Sequence, residues 1–531
     1  MPCTSRALVA AAAAALLLTT PGCGAGAPRA DPAEDAFDVA VRRGQAVARD
    51  RLAATTARLG ARRWPNATTA RGRWATTGAG RWTSGFLPGA LWLAYQESAD
   101  PVWRSRAARR QAGLAGQASN TTTHDVGFMI LDSFGNGYRL TRDGAYRRTV
   151  LRAAASLATR YSDAVGAIRS WNGGSWRYPV IVDNMMNLEL LFWAADHGGR
   201  SAWREIAVAH ALTTARDHVR RDGSTYHVVD YDPATGDVWH KGTQQGASAA
   251  STWARGQAWA IHGFATAYRE TGDPRMLATA RRVADWFAAR LPPGGVPYWD
   301  FSARSGASRD SSAAAIAASG LLELARLEPD AARAARSLGT ARTILAALSS
   351  TAYLSRGSGS EAALLHGTAN APTGHRDTGL IYGDYYYLQA LLRLRLITPA
   401  APPWPVAGIV ASGSDGNAAA NAVDGSLATR WSAAGDAQWL RLDLGEPRRV
   451  TKVTVAIHGG DARAARFDLQ AWVDGVGWRT LDRVLSSGAT LERETYDVPD
   501  TTARYVRVVG RGAAGTTWNS IAEVAVPSGP R

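Results

Sequence analysis

Residues 273–291, DPRMLATARRVADWFAARL, show the pattern that decides the fold of most of this chain. Apolar side chains recur at spacings of three and four residues, at Leu277, Ala280, Ala284, Phe287 and Leu291. Such positions share one face of an α-helix, so the stretch predicts an amphipathic helix. The Asp-Pro pair at its start is typical of a helix N-cap followed by proline at the first helical position.

Helical patterns of this kind fill the chain from residue 36 to about residue 396, between short loops rich in Gly, Pro and Asp. We count twelve segments, which begin near Ala36, Pro88, Pro101, Asp125, Asp143, Asn184, Ser201, Ala254, Pro274, Ser311, Pro329 and Gly383. Paired helices in this number predict a helical solenoid or a closed toroid. No repeat is exact, which disfavours an open repeat array.

The hydrophobic period changes in the last quarter of the chain. Residues 397–408, ITPAAPPWPVAG, are rich in proline and predict a linker. Beyond them apolar and polar residues alternate, as in WLRLDL at 439–444, KVTVAI at 452–457 and YVRVV at 505–509. A period of two is typical of β-strands. Residues 409–528 are therefore predicted to form an all-β sandwich.

The N-terminal residues carry a targeting pattern. One positive charge precedes an apolar stretch at residues 7–18, which is too short to span a bilayer and is typical of a signal peptide. Small residues before Cys23 resemble a bacterial lipobox. We therefore predict a lipoprotein-type signal peptide at 1–22 and a tether at 23–35, with export to the cell surface. Ordinary signal cleavage and secretion is the alternative.

The composition narrows the classes of partner. The two cysteines, Cys3 and Cys23, lie outside the predicted folded domains, which excludes a disulfide framework and a thiolate zinc site there. The net charge of +15 favours anionic partners. A GC-rich genome, which favours codons for arginine, explains the charge equally well. No run of five basic residues occurs, so nucleic-acid binding is not predicted.

Two segments place an aspartate where a loop passes into a helix: THDVGF at 123–128 and VDNMMN at 182–187. Taken singly, Asp125 and Asp183 are typical helix N-caps. If the two carboxylates converged, their repulsion would raise the pKa of one and leave a proton donor beside an ionised partner. The sequence alone does not show whether they converge.

A third segment, WARGQAW at 253–259, combines ring and guanidinium groups at a helix start. Arg255 is able to hold a carboxylate through two parallel hydrogen bonds, and tryptophan rings stack on sugar rings. A salt bridge for the arginine and core packing for the tryptophans are the alternatives. His227, upstream in a short strand or turn, is a further candidate, although a lone histidine is more often structural.

Taken in order, these segments resemble the unsaturated glucuronyl hydrolases, glycoside hydrolase family 88. The resemblance covers about residues 36–396. It rests on six motifs: WTSGF at 82–86, HDVGF at 124–128, DNMMN at 183–187, WARGQAW at 253–259, RDSSA at 309–313 and GDYY at 383–386. The family fold is an (α/α)6 barrel, an all-α architecture that agrees with the twelve helical segments.

The resemblance implies a specific reaction, the removal of a 4,5-unsaturated uronic acid from the non-reducing end of lyase-generated oligosaccharides. The enzyme would hydrate the C4=C5 double bond. Asp183 matches the general acid/base and Asp125 the second essential carboxylate. The substrate-binding positions that match the family are Trp82, His227, Gln245, Trp253, Arg255 and Trp259. No cofactor is implied for catalysis.

The last 120 or so residues resemble a coagulation factor 5/8 type C domain, a discoidin-like jelly roll often used to bind carbohydrate. The matching residues are NAVDG at 421–425, TRW at 429–431, QWLRLDLG at 438–445 and IAEV at 521–524. The resemblance implies a structural calcium near Asp424, Thr429 and Glu523, whose oxygen atoms suit that ion. Turn capping and strand-edge polarity are the alternative roles of these residues.

Three other functions remain open at this stage. They are an unsaturated rhamnogalacturonyl hydrolase on the same barrel, a polysaccharide lyase, and a surface glycan-binding protein with an inactive barrel. The paired acidic motifs favour the glucuronyl hydrolase. The expected partners are acidic unsaturated oligosaccharides in the barrel and a polysaccharide on the C-terminal domain, with membrane contact only through a lipid anchor and no nucleic acid. The aglycone sugar is not fixed by the sequence.

Overall fold

The computed structural model describes residues 36–397 and 401–528 of the 531-residue chain. The predicted signal peptide and tether, with Cys3 and Cys23, lie outside the described residues. Within them the first domain contains α1 (Ala36–Arg58), α2 (Phe86–Ser98), α3 (Pro101–Ala112), α4 (Asn136–Thr141), α5 (Gly144–Ala158), α6 (Leu188–Asp196), α7 (Ala202–Asp217), α8 (Ala254–Thr271), α9 (Pro274–Arg290), α10 (Ser311–Leu327), α11 (Ala331–Leu348) and α12 (Ile381–Arg393). Among these helices, none combines the length and apolar character that crossing a membrane requires.

The helices form two concentric rings. The even-numbered helices, with a π-helix at Gly127–Gly135 ahead of α4, contact one another in succession, and α12 closes the ring against α2. Each odd-numbered helix packs outside an inner neighbour: α3 on α2, α7 on α6, α9 on α8 and α11 on α10. The predicted (α/α)6 barrel is confirmed.

The two rings differ in the way their residues are buried. The inner helix α10 begins SSAAAIAASGLL and is buried on every side from Ser311 to Leu324, as expected of a helix surrounded by protein. The outer helix α9 has the predicted apolar face, and its N-cap Asp273 accepts a 2.8 Å hydrogen bond from the Arg275 N–H. Small residues let the inner helices approach closely: a Cβ on Gly320 of α10 would lie only 2.7 Å from His262 Cα of α8.

Two of the predicted helix starts take other local forms. Near Asp125 the chain enters the π-helix at Gly127–Gly135, and near Asn184 it forms a 3-10 turn at Val182–Met186 before α6 begins. Over one or two turns, the apolar spacing of a 3-10 or π-helix is close to that of an α-helix, so the sequence does not distinguish these forms. A π-helical segment inside a helix is frequently found at a functional site.

Three small antiparallel sheets decorate the barrel. Their strands are β1 (Trp64–Thr68), β2 (Trp74–Thr77), β3 (Tyr161–Ser162), β4 (Ala167–Ile168), β5 (Pro179–Ile181), β6 (Val228–Tyr231) and β7 (Val238–Gly242). The pairs are β1 with β2 and β3 with β4, while β5, β6 and β7 form one three-stranded sheet. This third sheet positions the candidate site.

The C-terminal domain is built from seven antiparallel strands. They are β8 (Gly408–Ala411), β9 (Trp431–Ala434), β10 (Trp439–Ile457), β11 (Ala465–Val473), β12 (Gly477–Leu485), β13 (Glu494–Ala513) and β14 (Trp518–Ala525). Their order is β12-β11-β13-β10-β14-β9, with β8 on β10. Two strands predicted separately, at 439–444 and 452–457, are parts of β10, which continues through two bulges. Alternate residues of these strands enclose a separate apolar core around Trp431, as a discoidin-like sandwich requires.

The two domains are in contact. Lys452 of β10 donates to Asp38 of α1 at 2.6 Å, and Leu485 of β12 joins the apolar core of the barrel. The predicted linker is not free over its whole length: Trp404 donates its backbone N–H to the Val526 carbonyl at 2.8 Å. Trp404 therefore packs with the C-terminal domain.

Candidate active site

The sheet of β5, β6 and β7 brings three predicted residues to one edge. Asp183 follows β5, His227 immediately precedes β6, and Gln245 follows β7. The backbone N–H of Val182 donates to the His227 carbonyl at 3.0 Å, which extends the β5–β6 pairing to the site. Antiparallel pairing therefore fixes Asp183 and His227 on neighbouring strands, although they are 44 positions apart in the sequence.

Asp183 is a buried carboxylic acid. Its side chain is 14% exposed, and burial raises its pKa from 3.8 to about 7. The positive charge of Arg255 opposes this rise, and the negative charge of Asp125 adds to it. A carboxyl group with a pKa near neutrality is populated both as an acid and as a base at neutral pH.

Asp125 is held at the start of the π-helix. The Thr123 hydroxyl donates to Asp125 Oδ2 at 2.6 Å, and His124 Nε2 lies 3.3 Å from Oδ1. Burial lowers the pKa of His124, so that imidazole is neutral at pH 7. The Asp125 carbonyl accepts a 3.0 Å hydrogen bond from the Met129 N–H at the start of this helical segment, and the N-cap role of its carboxylate stays a prediction.

The two aspartate motifs converge because their backbones touch. The Asn187 side-chain oxygen accepts a 3.0 Å hydrogen bond from the Phe128 N–H. Gly127 makes the approach possible, since a Cβ there would lie 2.5 Å from Asn187 Oδ1 and 2.8 Å from its Cα. The last residue of VDNMMN is thus locked to the end of THDVGF, and Asp183 feels the charge of Asp125.

His227 faces Asp183 as a neutral imidazole. Its Nδ1 accepts a 3.2 Å hydrogen bond from the Gln244 N–H, and the Thr243 hydroxyl lies 3.0 Å from the same atom. Burial lowers the pKa of His227 to about 3, so the ring is uncharged at neutral pH. With Nδ1 acting as an acceptor, the proton sits on Nε2.

A gap separates Asp183 from His227. Asp183 Oδ1 and His227 Nε2 are 4.0 Å apart, and neither has a hydrogen-bond partner among the described residues. Buried polar atoms are rarely left unpaired in folded proteins. An acceptor and a donor that converge in this way suit an oxygen atom of a substrate or a water molecule bound between them.

Arg255 stands in the first turn of α8 and is 1% exposed. Its guanidinium donates to Asp310 Oδ2 and to the Thr368 and Ala369 carbonyls, each at 2.7 Å. Asp310 in turn caps α10. These bonds give Arg255 a structural role in fixing the 366–378 loop beside the site, and its charge acts on Asp183. The carboxylate-binding role inferred from sequence stays a prediction.

The three tryptophans differ in what they offer a ligand. Trp82 is half-exposed and packs 4.8 Å from Tyr382, so part of its ring is open to solvent. Trp259 has no exposed surface and lies between Phe128 and Tyr386. Trp253 is 3% exposed and packs against His227 at 4.4 Å. Trp259 therefore packs within the wall of the site in this structure, and its direct contact with a sugar stays a prediction.

The residues that orient the predicted site residues could not be identified from the sequence. Thr123, Asn187 and Thr243 act through short polar contacts, and no spacing rule singles out such residues. Thr123 also pairs with Trp171 in an isolated β-bridge, and Trp171 is partly exposed. Gln245 is half-buried on the loop after β7, two residues beyond Thr243.

The three residues proposed for calcium are brought together in the C-terminal domain. Asp424 accepts from the Thr429 hydroxyl at 2.8 Å. Glu523 is buried, and its two oxygens accept from the Gly425 N–H at 2.6 Å and from Arg493 at 2.9 Å. Asp424 and Thr429 thus offer oxygen atoms that suit calcium, whereas both oxygens of Glu523 are already used.

Comparisons with known proteins agree with this geometry. Residues 408–524 match the model of the F5/8 type C domain. An unsaturated glucuronyl hydrolase of Formosa agariphila is 43% identical over 321 residues, 59% of this chain and 79% of that protein. Another from a Bacillus species is 38% identical over 347 residues, 62% of this chain and 91% of that protein.

A solved structure gives the same assignment for the barrel. The crystal structure of an unsaturated glucuronyl hydrolase described as specific for heparin superposes with a TM-score of 0.65 at 36% identity. The match covers 67% of this chain and 97% of that one. Together with the converging carboxylates of the barrel, these likenesses show that the chain belongs to the unsaturated glucuronyl hydrolase family, glycoside hydrolase family 88, and that it carries an F5/8 type C domain after the barrel.

Proposed function

We propose that the barrel removes 4,5-unsaturated uronic acid from the non-reducing end of lyase-generated oligosaccharides by hydrating the C4=C5 double bond. The observation that carries the proposal is the unpaired Asp183 Oδ1, which faces His227 Nε2 across 4.0 Å. The pKa of this carboxyl group is raised to about 7. An acid that must first give and then take a proton needs a pKa of this kind.

The proposed reaction uses Asp183 twice. Protonated Asp183 gives its proton to C4, and positive charge develops at C5 and the ring oxygen. A water molecule adds its oxygen to C5 and returns a proton to the Asp183 carboxylate. The resulting hemiketal opens, the glycosidic bond breaks, and the aglycone leaves with one water consumed. The rule that relates carboxylate separation to stereochemistry does not apply, because no displacement occurs at the anomeric carbon.

The surrounding residues have distinct proposed roles. His227 Nε2–H would donate to a substrate oxygen or to the attacking water, and Asp125 would keep the pKa of Asp183 high and stabilise positive charge in the transition state. Trp82 offers a partly open ring for stacking. Arg255 and Gln245 would meet the polar groups of the unsaturated sugar. No step requires a cofactor.

The direct test follows the ultraviolet absorbance of unsaturated disaccharides, which is lost when the C4=C5 bond is hydrated. We expect loss of the band together with release of the partner sugar. A panel of chondroitin, hyaluronan, heparin and gellan fragments would identify the aglycone. A rising band on intact polysaccharide would mean a lyase, and no change with any fragment would contradict the proposal.

We further propose that the C-terminal domain binds polysaccharide and that Asp424 and Thr429 hold a structural calcium there, with Glu523 as their support. The oxygen-only donor set supports the ion, and its role would be to fix the 424–429 turn. The full chain should melt at a higher temperature in calcium than in a chelator, and Asp424→Ala should abolish the difference. An unchanged melting temperature in the parent protein would contradict the site.

We also propose that the protein is exported and anchored through Cys23. The apolar stretch at 7–18 and the small residues before Cys23 support this. Metabolic labelling with a fatty acid should mark the protein in a bacterial host, and Cys23→Ser should remove the label. A labelled variant, or an unlabelled parent protein, would contradict lipidation.

A further inference from the structure

The C-terminal domain presents two rows of side chains on one outer sheet face. The first row crosses five strands, because Val410, Arg441, Arg507, Gln470 and Thr480 are consecutive register partners on β8, β10, β13, β11 and β12. The second row lies two residues further along the same face. It contains Asp443, paired with Tyr505, and Trp472, paired with Trp478. We call these nine residues the outer face.

The opposite side of the same strands is the apolar core. Leu440 and Leu442 of β10, Leu469 and Ala471 of β11, and Val506 and Val508 of β13 are all buried in that core. Strict alternation therefore directs the outer-face side chains to solvent. Trp472 is 39% exposed and Val410 is 43% exposed.

The barrel contacts other parts of this domain. Its side-chain hydrogen bonds to this domain include those to Lys452, Ser487 and Asp497, and α2 contacts β12, whose Leu485 joins the barrel core. Among the described residues, no hydrogen bond joins the barrel to the nine outer-face residues.

The outer face carries a charge arrangement that is unfavourable without a ligand. Arg441 and Arg507 are directly opposite each other on adjacent strands, and like charges in such a position destabilise a sheet. Arg507 donates to Gln470 at 2.7 Å and packs 4.0 Å over the Trp478 ring. Arg441 Nε is buried and has no hydrogen-bond partner among the described residues. The carboxylate of this face, Asp443, is held by Arg504 at 2.7 Å instead.

The aromatic groups complete the chemistry. Trp472 and Trp478 meet edge to face, with ring centroids 5.7 Å apart, near the tip of the β11–β12 hairpin, and the Arg441 guanidinium lies 5.0 Å over the Tyr505 ring. Aromatic rings beside guanidinium groups provide stacking surfaces for sugar rings and bidentate donors for carboxylates. A flat face that spans five strands is long enough for several sugar units, because neighbouring strands are about 4.8 Å apart.

We propose that the outer face binds an anionic polysaccharide, with Arg441 and Arg507 on its uronate carboxylates and Trp472 and Trp478 against its sugar rings. The inference rests on the proposed polysaccharide-binding role of this domain and names its site and ligand class. Binding here would keep the barrel close to the polymer whose lyase fragments it consumes.

The test measures binding of the full chain to intact hyaluronan, whose only anionic groups are carboxylates, with neutral dextran as the reference polymer. Titration calorimetry should detect hyaluronan and not dextran, and binding should weaken as salt is added. Trp472→Ala and the double variant Arg441→Gln/Arg507→Gln should each weaken binding at least tenfold, while Arg507→Lys should weaken it less.

Trp518→Ala is the matched control, because Trp518 is 41% exposed in the same domain but lies on β14, away from the outer face. It should bind hyaluronan like the parent protein, and every variant should hydrolyse unsaturated disaccharides at the parent rate. Equal affinity for dextran, unchanged binding by the outer-face variants, or binding only to anionic lipid vesicles would overturn the inference. Hyaluronan binding by a parent protein that lacks hydrolase activity would overturn the proposed reaction and leave this site standing.

Discussion

Two buried aspartates in different parts of the barrel have a similarly raised pKa but differ in their hydrogen-bond partners. Burial raises the pKa of Asp183, in the site, and of Asp384, at the start of α12, to about 7 in both cases. The oxygens of Asp384 accept from the Ala363 and Leu364 N–H groups at 2.8 and 2.9 Å. Asp183 Oδ1 has no partner among the described residues.

A raised pKa therefore does not by itself mark a catalytic acid. Asp384 anchors the 363–364 backbone and has no oxygen left for a substrate. Asp183 has an oxygen that the protein leaves unsatisfied, next to a histidine N–H and within the field of a second carboxylate. Catalytic groups are commonly found where stability has been given up in this way.

The largest expected effect is on turnover. Asp183→Asn should lower kcat for an unsaturated disaccharide by about 10³-fold or more, because general acid and base catalysis together supply gains of this order. Asp384→Asn should keep kcat within a few-fold of the parent value in the folded fraction. The ultraviolet assay measures both. Equal losses of kcat in the two variants would show that Asp183 has no catalytic role that Asp384 lacks.

The second effect concerns the free energy of unfolding, and the two variants should differ in the size of the change. A carboxyl group with a raised folded-state pKa stabilises the fold when protonated, and this contribution is lost as pH rises from about 4 to about 7. At pH 8, Asp183→Asn should therefore raise the free energy of unfolding by about 2–4 kcal/mol. The gain should vanish near pH 4, where the parent carboxyl group is protonated.

Asp384→Asn should raise the free energy of unfolding by about 1–3 kcal/mol less than Asp183→Asn does at pH 8, because an amide nitrogen cannot accept from the second backbone N–H. Chemical denaturation at pH 8 measures both changes. An equal gain in the two variants would show that the two hydrogen bonds of Asp384 do not matter.

The third effect concerns the influence of the Asp125 charge on the pKa of Asp183. The charge of Asp125 raises the pKa of Asp183. In Asp125→Asn, the loss of activity with rising pH, expected near pH 7 in the parent enzyme, should move to lower pH. The pH profile of kcat/KM measures this, and the profile of Glu97→Gln is the control, because Glu97 on α2 is paired with Arg49 and is not among the charges that shift the pKa of Asp183. If the high-pH side of the profile does not shift in Asp125→Asn, the charge of Asp125 does not raise the pKa of Asp183.

The smallest effect separates an open ring from a buried one. Trp82→Leu should raise KM by up to about tenfold with little change in melting temperature, since a stacking contact contributes about 0.5–1.5 kcal/mol. Trp259→Leu should lower the melting temperature, because it leaves a cavity between Phe128 and Tyr386. A raised KM with an unchanged melting temperature in Trp259→Leu would instead support a direct sugar contact by Trp259.

The architecture could be predicted from local patterns in the sequence. Apolar spacing predicted twelve helices and then strands, because helix and strand periods are written in local order and need no tertiary contact to be recognised. The motif order predicted the family. It also selected Asp183, Asp125 and His227 as candidates, since these residue types stand at loop-to-helix or loop-to-strand junctions with matching neighbours.

The way in which those residues act on one another follows from their arrangement in space. The pKa of Asp183 depends on burial and on Asp125, which is 58 positions away. The contact between Gly127 and Asn187 that joins the two motifs has no local signal. Burial likewise separated Trp82 from Trp259, and sheet register assembled Arg441, Arg507 and the tryptophans on one face. Such properties arise from three-dimensional proximity and from exclusion of water, neither of which is encoded in residue spacing.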